Sequence, residues 1–305
     1  LAIYLALKAC GVQPGDEVLV PNFTFIASAN AVIMLGATPV FVDVDKDLQI
    51  DLTKCDRRIT NKTSAIMITH MYGTCGNVPD VVKFARQYNL KVVEDAAQAI
   101  GVKWNDRHAG TIGDVGTFSF FADKTITCGE GGFVVTNNHE IAENLRYLRN
   151  QGRLNRGTFV HPEIGFNFRM TDIHSAMGLV QLAKLENIVS RKLEIYAKYK
   201  KKLSNIDGLR IFGPMEESGF VPFRVCIIDQ ANRAKRIMKN LSLAGVETRT
   251  FFFPLHKQPC FECLVEKYEY TDDEFPVSSA LFESGICLPT FLQITDEQIS
   301  YICNT

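Results

Sequence analysis

Several features that mark specialised classes of protein are missing from this sequence of 305 residues. No apolar run is long enough to span a bilayer, and no signal peptide is visible. Lysine and arginine total 33 and aspartate and glutamate total 34, so no net charge favours nucleic acid or an anionic membrane. We therefore expect a soluble, cytoplasmic protein that has neither nucleic acid nor a membrane as a partner.

Cysteine patterns that hold zinc or build disulfide frameworks are also lacking. The nine cysteines are an odd number and are scattered, and Cys260 and Cys263 form a Cys-x-x-Cys with no second pair. We expect reduced, mostly packed thiols and no metal site. The apolar content of 46% is ordinary for a globular protein, and the length allows more than one domain.

The stretch from Gly116 to Thr136 places one lysine, Lys124, between two short apolar runs that are typical of strands. Ser119 lies upstream of this lysine, and a glycine-rich turn at residues 129–132 lies downstream. Burial of a charged lysine costs free energy, so a lysine between two apolar runs calls for an explanation. Two interpretations fit the stretch alone: a surface lysine on a hairpin loop, or a lysine that forms a Schiff base with an aldehyde cofactor.

A second stretch, residues 91–101, favours the cofactor. Its two valines predict a buried parallel strand whose carboxyl end carries Asp95, with Gln98 in the loop beyond, and ligands of open α/β sheets bind at such strand ends. An acid beside the nitrogen of a pyridine cofactor keeps the ring protonated and makes it a better electron sink. Gln98 can donate a hydrogen bond to the phenolic oxygen of the ring. The alternative for Asp95 is a helix N-cap.

These two stretches belong to six ordered blocks, at residues 15–21, 24–27, 94–98, 119–132, 165–170 and 288–289. Together the blocks resemble the nucleotide-sugar aminotransferases that use pyridoxal phosphate, the DegT/DnrJ/EryC1/StrS family. The resemblance extends from residue 1 nearly to the C-terminus. It implies an α/β protein of pyridoxal-phosphate fold type I, with a mostly parallel sheet, helices on both faces and a smaller C-terminal α+β domain.

The resemblance also implies cofactor contacts. Lys124 is expected to hold pyridoxal phosphate and Asp95 to contact its ring nitrogen. Gln98 and Ser119 are expected to be further contacts, and Phe25 matches the aromatic residue that stacks on the cofactor ring. The alternative for Phe25 is a place in the hydrophobic core.

Other matching residues imply a dimer and a sugar pocket. Asn167 matches a residue that reaches the cofactor phosphate of the neighbouring subunit, which predicts a homodimer with shared active sites; the alternative is a turn residue. His161 lies in a segment similar to the perosamine-type members, where it lines the sugar pocket, although a lone histidine is more often structural. Arg249 and His256 lie where family members line the substrate cleft.

The beginning of the sequence departs from the family pattern. In the family, a Gly-Thr loop and the N-terminus of the helix predicted over residues 1–10 hold the cofactor phosphate. Here the sequence starts inside that helix, without the loop. We interpret the chain as a fragment of a longer protein.

Alternating strands and helices predict a large cofactor-binding domain over residues 1–203. Residues 204–219 are predicted to be loop-rich and to open a small C-terminal domain that comprises residues 204–305. A single long helix is predicted from Thr171 to about Lys202, and its charge-rich part from Arg191 onward is interpreted as a solvated face.

The predicted reaction moves an amino group from an amino acid, L-glutamate in most relatives, to a nucleotide-linked keto sugar. Relatives that dehydrate the sugar have histidine in place of Lys124, so aminotransfer is favoured. The segment 161–170 indicates a 4-keto-6-deoxyhexose and a 4-amino sugar such as perosamine. A 3-aminotransferase, a dehydratase and a non-catalytic relative that binds sugar or cofactor remain as alternatives.

Overall fold

The structure is a computed structural model of the protein, and it describes residues 1–155, 157, 159–213 and 219–305. Its strands are β1 (Glu17–Pro21), β2 (Thr38–Val42), β3 (Thr63–Thr69), β4 (Lys91–Asp95), β5 (Lys103–Trp104), β6 (Arg107–His108), β7 (Val115–Ser119), β8 (Gly132–Val135), β9 (Leu209–Ile211), β10 (Val225–Asp229), β11 (Arg249–Thr250) and β12 (Gly285–Leu288). Its helices are α1 (Ala2–Ala9), α2 (Ala27–Met34), α3 (Leu52–Cys55), α4 (Val78–Gln87), α5 (His139–Leu148), α6 (Asp172–Leu182), α7 (Leu185–Leu203), α8 (Ala234–Leu243), α9 (Glu262–Tyr268), α10 (Pro276–Ser284) and α11 (Asp296–Asn304).

A six-stranded sheet forms the centre of the larger part of the molecule, with strand order β2-β1-β3-β4-β7-β8. All neighbouring strands run parallel except β7 and β8, which are antiparallel. Side chains of β1 alternate between two cores, because Val18 and Val20 pack with α1, α2 and α5, whereas Leu19 packs with α4 and the start of α7. Both faces of the sheet are thus covered by helices, as parallel sheets require.

A four-stranded antiparallel sheet, ordered β11-β12-β10-β9, forms the smaller part. It shares a core with α8, α11 and the C-terminal half of α7. Within the stretch predicted to be loop-rich, residues 204–219, the short strand β9 forms, and residues 214–218 lie outside the described residues. The boundary at residue 203 stays a prediction.

The chain returns to the large sheet near its C-terminal end. Phe261 packs against Phe41 with ring centroids 5.5 Å apart, and the Tyr270 hydroxyl accepts a hydrogen bond of 2.8 Å from the Phe41 N–H. Leu255 and Phe275 join the same core. Residues 255–275 therefore pack on the large sheet although they lie late in the sequence.

The predicted single helix from Thr171 to about Lys202 is wrong. Thr171 does cap a helix, but α6 ends at Leu182 and α7 begins at Leu185, with Lys184 outside helical geometry at φ −101° and ψ 2°. The break separates two environments: α6 contains no buried residue, whereas α7 contributes to the cores of both sheets.

All nine cysteines lie in the described part of the chain and are free thiols, five of them buried. Among the helices that the structure describes, none has the length and apolar character needed to cross a membrane.

Candidate active site

Four parallel strands of the large sheet deliver polar or aromatic side chains to the same edge. Thr24 and Phe25 follow β1, Thr69 ends β3, Asp95 ends β4 and Ser119 ends β7. The carboxyl ends of parallel strands form the ligand-binding edge of open α/β sheets. The strand order places β4 between β3 and β7, so Asp95 lies at the centre of this edge.

Asp95 is buried and held by hydrogen bonds on both carboxylate oxygens. Ser28 Oγ donates to Oδ2 at 3.1 Å and the Ala97 N–H donates to Oδ1 at 3.1 Å. A chain of hydroxyls continues from Ser28 to Thr24 at 3.2 Å and from Thr24 to Thr69 at 3.1 Å. The helix N-cap interpretation is wrong, because residues 96–101 form turns and contain no helix.

The charge state of Asp95 depends on a nearby cation. Burial raises the pKa of Asp95, while hydrogen bonds from Ala97 and Ser28 and the positive charges of Lys124 and His70 oppose that rise. The rise prevails, so the buried carboxylate lacks full compensation from the protein alone. A cationic ligand group beside Asp95 would complete the pairing.

A buried ion pair adjoins Asp95 and is linked to its backbone. His70 Nε2 lies 2.8 Å from Glu94 Oε2, and both side chains are fully buried. The Glu94 carboxylate also accepts hydrogen bonds from three backbone N–H groups of the 110–113 loop. The backbone N–H of His70 donates to the Asp95 carbonyl at 3.0 Å. This network fixes the backbone that carries Asp95.

The side-chain amide oxygen of Gln98 is engaged in a hydrogen bond. Its Oε1 accepts the Tyr72 N–H at 2.8 Å. Tyr72 is fully buried with φ at +51°, and its ring packs 4.9 Å from Phe251 and 5.9 Å from Phe252. Because the oxygen is engaged, the amide is oriented with its NH₂ group as the remaining donor.

Lys124 lies in the turn between β7 and β8, but its side chain is only 15% exposed. It is therefore not a solvent-exposed lysine of a hairpin loop. Its Nζ lies 4.9 Å from the centroid of the Phe223 ring and 3.7 Å from Asp123 Oδ1. Burial lowers the pKa of Lys124; Asp123 and Asp95 oppose that change, and Arg224 adds to it.

Ser119 and Phe25 border the same edge. Ser119 Oγ accepts a hydrogen bond of 3.2 Å from the Phe121 N–H. The Phe25 side chain is 55% exposed and touches Phe252 at 5.9 Å between ring centroids. The core interpretation of Phe25 is therefore wrong, and an exposed ring at a ligand-binding edge is available for stacking.

Helix α1 packs against β7 and against β4, the strand that ends at Asp95. Helix N-termini attract anions because their backbone N–H groups are unpaired.

Asn167 and His161 lie elsewhere on the surface of this chain. Asn167 is exposed, forms a β-bridge with Asn150 and accepts a hydrogen bond of 2.7 Å from Arg169 Nε. His161 Nδ1 lies 2.7 Å from the Gln151 carbonyl, in an open cavity of about 530 Å³ formed by residues 151 and 161–165. Within the described residues, neither side chain contacts Lys124 or Asp95.

Arg249 and His256 have contrasting surroundings. Arg249 lies on the edge strand β11, is exposed and has Glu247 as a distant partner at 3.8 Å. His256 is buried: the Asn22 Nδ2 group lies 2.9 Å from Nδ1, and Asp272 Oδ1 lies 3.0 Å from Nε2. Both ring nitrogens of His256 are thus occupied, so a direct substrate contact would require one of these bonds to break.

Comparison with known proteins agrees with this geometry. The sequence model of the DegT/DnrJ/EryC1/StrS aminotransferase family matches residues 1–305. The chain belongs to this aminotransferase family. It is 39% identical to GDP-perosamine synthase of Escherichia coli O157:H7 over 307 residues, which cover 100% of this chain and 82% of that protein. The corresponding Vibrio cholerae enzyme is 37% identical over 310 residues, with coverages of 100% and 82%.

The structure of S. venezuelae DesV superposes on the chain with a TM-score of 0.92 at 30% identity, and covers 99% of this chain and 80% of that one. The predictions of the family, of the aminotransferase class and of the α/β fold with a mostly parallel sheet are confirmed.

Several residues that surround Lys124 and Asp95 in this aminotransferase have no local sequence signal. Ser28 is one of many small residues in its helix, and no local pattern distinguishes it. The contacts of Lys124 with Phe223 and of Asp123 with Arg224 join residues about 100 positions apart. Lys192 belongs to the stretch interpreted as a solvated face, and that interpretation is wrong for this residue because its side chain is buried.

Proposed function

We propose that the protein transfers the amino group of an amino acid, L-glutamate, to a nucleotide-linked 4-keto-6-deoxyhexose and forms a 4-amino sugar of the perosamine type. The observation that carries this proposal is the position of the mostly buried Lys124 and the buried Asp95 carboxylate at one ligand-binding edge of the sheet, within electrostatic range of each other. The choice of sugar rests on the two perosamine synthases to which the whole chain is similar.

Pyridoxal phosphate is the cofactor, in keeping with the family, and the residues present fit it. The buried Asp95 carboxylate needs a cation and matches a protonated ring nitrogen, while the Gln98 amide offers a donor. The exposed Phe25 ring offers a stacking face, and the α1 N-terminus offers backbone N–H groups for a phosphate. When bound, the cofactor supplies a reactive aldehyde and an electron sink.

Lys124 and Asp95 are proposed to act on different protons of the reaction. Lys124 Nζ is suited to take the proton from the α-carbon of the amino donor and to return it elsewhere, which requires the neutral amine. Burial lowers the pKa of Lys124 and so increases the fraction of neutral amine. Asp95 holds the proton of the ring nitrogen in place, and Ser28 and the Ala97 N–H hold Asp95. Ser119 is proposed as a further cofactor contact.

We also propose that the enzyme is a homodimer in the cytoplasm, with active sites shared between subunits. Helix α6 supports the dimer, because none of its residues is buried and its apolar side chains are open, with Ile173 74% and Leu179 69% exposed. An apolar helix face of this kind is typical of a protein interface. Asn167 is exposed close to α6 in sequence and is proposed to reach the cofactor of the partner subunit.

Sugar recognition is proposed to involve His161, Arg249 and His256. His161 and Arg249 are exposed and present ring or guanidinium nitrogens that can donate to sugar or phosphate oxygens. His256 would act on the sugar only after release from Asp272, so its contribution in the resting structure is to join the loop at residue 256 to Asn22.

Borohydride reduction followed by peptide mapping tests the lysine. Wild-type enzyme reduced with pyridoxal phosphate is expected to carry the label on the peptide that contains Lys124, and Lys124→Ala is expected to carry none there. Activity with a nucleotide-linked 4-keto sugar and glutamate is expected to fall about 10²–10⁴-fold in Lys124→Ala. Lys198→Met serves as the control, because it removes a lysine that is paired with Glu194 and Asp296 and should keep the label.

Label that remains in Lys124→Ala, or that maps to another lysine in the wild type, would contradict the assigned role. Turnover of a 3-keto sugar in place of the 4-keto sugar would overturn the proposed position of amination.

A further inference from the structure

The segment before β10 reaches across from the small sheet and covers Lys124. Phe223 places its ring 4.9 Å from Lys124 Nζ, and Arg224 Nη2 donates to Asp123 Oδ2 at 2.8 Å. Asp123 precedes the lysine in sequence, and its other oxygen lies 3.7 Å from the lysine amine, beyond hydrogen-bond range. The aspartate is thus bound to the arginine more closely than to the lysine.

We propose that Arg224 is a positioning residue for Lys124, because its ion pair with Asp123 holds that carboxylate away from the lysine amine and adds a positive charge beside it. The proposal deepens the function above and rests on the role given there to Lys124. Arg224 acts through Asp123 and requires no contact with substrate or cofactor.

A second lysine fixes the backbone that carries Arg224. Lys192, from α7, is buried, and its Nζ donates to the carbonyls of Pro222 at 3.3 Å and Phe223 at 3.1 Å. Its amine lies 5.9 Å from the centroid of the same Phe223 ring that Lys124 approaches. Two ammonium-bearing side chains therefore share one aromatic ring, and the carbonyl bonds of Lys192 hold the segment against Lys124.

The charges that face Lys124 act in opposite directions. Asp123 and Asp95 favour the charged amine, whereas burial and the Arg224 guanidinium favour the neutral one, and the net effect lowers the pKa of Lys124. Loss of Arg224 would remove a cation and free the Asp123 carboxylate to approach the amine. Both changes favour the charged form, so they reinforce each other.

Competitive labelling measures the proton affinity of Lys124 directly. Cofactor-free enzyme is treated with a limiting amount of acetic anhydride across neutral to alkaline pH, and acetylation of the Lys124 peptide is followed by mass spectrometry. In Arg224→Gln the labelling midpoint is expected to rise by about one pH unit, which lowers the neutral fraction near neutral pH about tenfold. Arg224→Lys keeps a positive charge and is expected to stay near the wild-type midpoint.

Substitution of Asp123 is expected to shift the labelling midpoint of Lys124 in the opposite direction. Asp123→Asn removes the carboxylate that most strongly favours the charged amine, so the midpoint is expected to fall. The double variant Arg224→Gln/Asp123→Asn is expected to return towards the wild-type value, because the freed carboxylate is absent. Arg146→Gln, which breaks an exposed ion pair with Glu143, is the control and should leave the midpoint unchanged.

A midpoint that does not rise in Arg224→Gln overturns the proposal, and so does a midpoint that does not fall in Asp123→Asn. If Arg224→Gln fails to fold, the other two variants test the proposal. An unchanged midpoint in Arg224→Lys and a lower midpoint in Asp123→Asn support it, and any other result contradicts it. Because the labelling uses no cofactor, its outcome is independent of the borohydride experiment, so failure of the proposed function and failure of this inference are distinguishable.

Discussion

Two histidine–carboxylate pairs in this molecule have similar distances and different surroundings. His70 and Glu94 are 2.8 Å apart and fully buried beneath Asp95. His256 and Asp272 are 3.0 Å apart, but the Asp272 side chain is 69% exposed. His70 faces a carboxylate that three backbone N–H groups also bind, whereas His256 faces a carboxylate that water reaches and that Lys257 shares.

The pKa values of the two histidines are shifted in opposite directions, although both carboxylates act to raise them. Burial lowers the pKa of His70, but hydrogen bonds with Cys75 and Glu94 outweigh burial and raise the value to about 10. The Gly76 N–H approaches His70 Nδ1 at 3.4 Å, which would suit a neutral ring, yet this contact is long and the buried Glu94 charge favours the imidazolium. Burial lowers the pKa of His256, and the screened Asp272 only partly opposes it.

In these two pairs, the burial of the carboxylate, more than its distance from the imidazole, decides the charge of the histidine. A buried charge pair cannot lose one partner without leaving the other uncompensated. An exposed partner can be replaced by water at small cost.

The largest expected effect comes from Glu94→Gln. The substitution leaves His70 without its buried counter-ion and places an NH₂ group among three backbone donors, so the free energy of unfolding should fall by about 3–5 kcal/mol. Asp272→Asn is the matched control and should cost less than about 1 kcal/mol. Urea unfolding followed by circular dichroism measures both. Similar losses in the two variants would show that burial does not separate the pairs.

The second-largest expected effect is a fall in the free energy of unfolding at alkaline pH, caused by deprotonation of His70. Its folded pKa of about 10 lies above the unfolded value of about 6.5, so the stabilisation is complete below the unfolded value and is lost as pH rises through the folded one. The free energy of unfolding of the wild type should fall by up to about 1.4 kcal/mol per pH unit more steeply than that of His70→Gln in this window. Equal slopes in the two proteins would show that His70 is neutral.

The smallest effect belongs to His256, and it has the opposite sign. Because the folded pKa is lowered, the neutral ring is preferred in the fold; its stabilisation is present above the unfolded value of about 6.5 and is lost as pH falls below it. Wild-type unfolding measured from neutral to mildly acidic pH should show a shallow decline that His256→Asn lacks. A decline that persists in His256→Asn would assign it to other groups.

Much of the fold follows from local sequence patterns. The apolar runs predict the strands around β1, β3 and β4 within one or two residues, and the order of elements predicts the parallel sheet. Strand alternation is a local property with a period of two residues, so it can be read from the chain. The same reasoning places Asp95 and Ser119 at strand ends and Lys124 in the turn beyond, where the parallel strands bring them to one edge.

What surrounds these residues was decided by the tertiary structure. Arg224 meets Asp123 across 101 positions, and the carbonyls bound by Lys192 lie about 30 positions away, so no local period encodes these contacts. Lys192 reads as solvated from its charged neighbours, but the break before α7 and the small sheet bury it. The sequence alone determined which groups are proposed to carry the chemistry; long-range packing determined which charges face them, because burial and charge proximity exist only after distant segments meet.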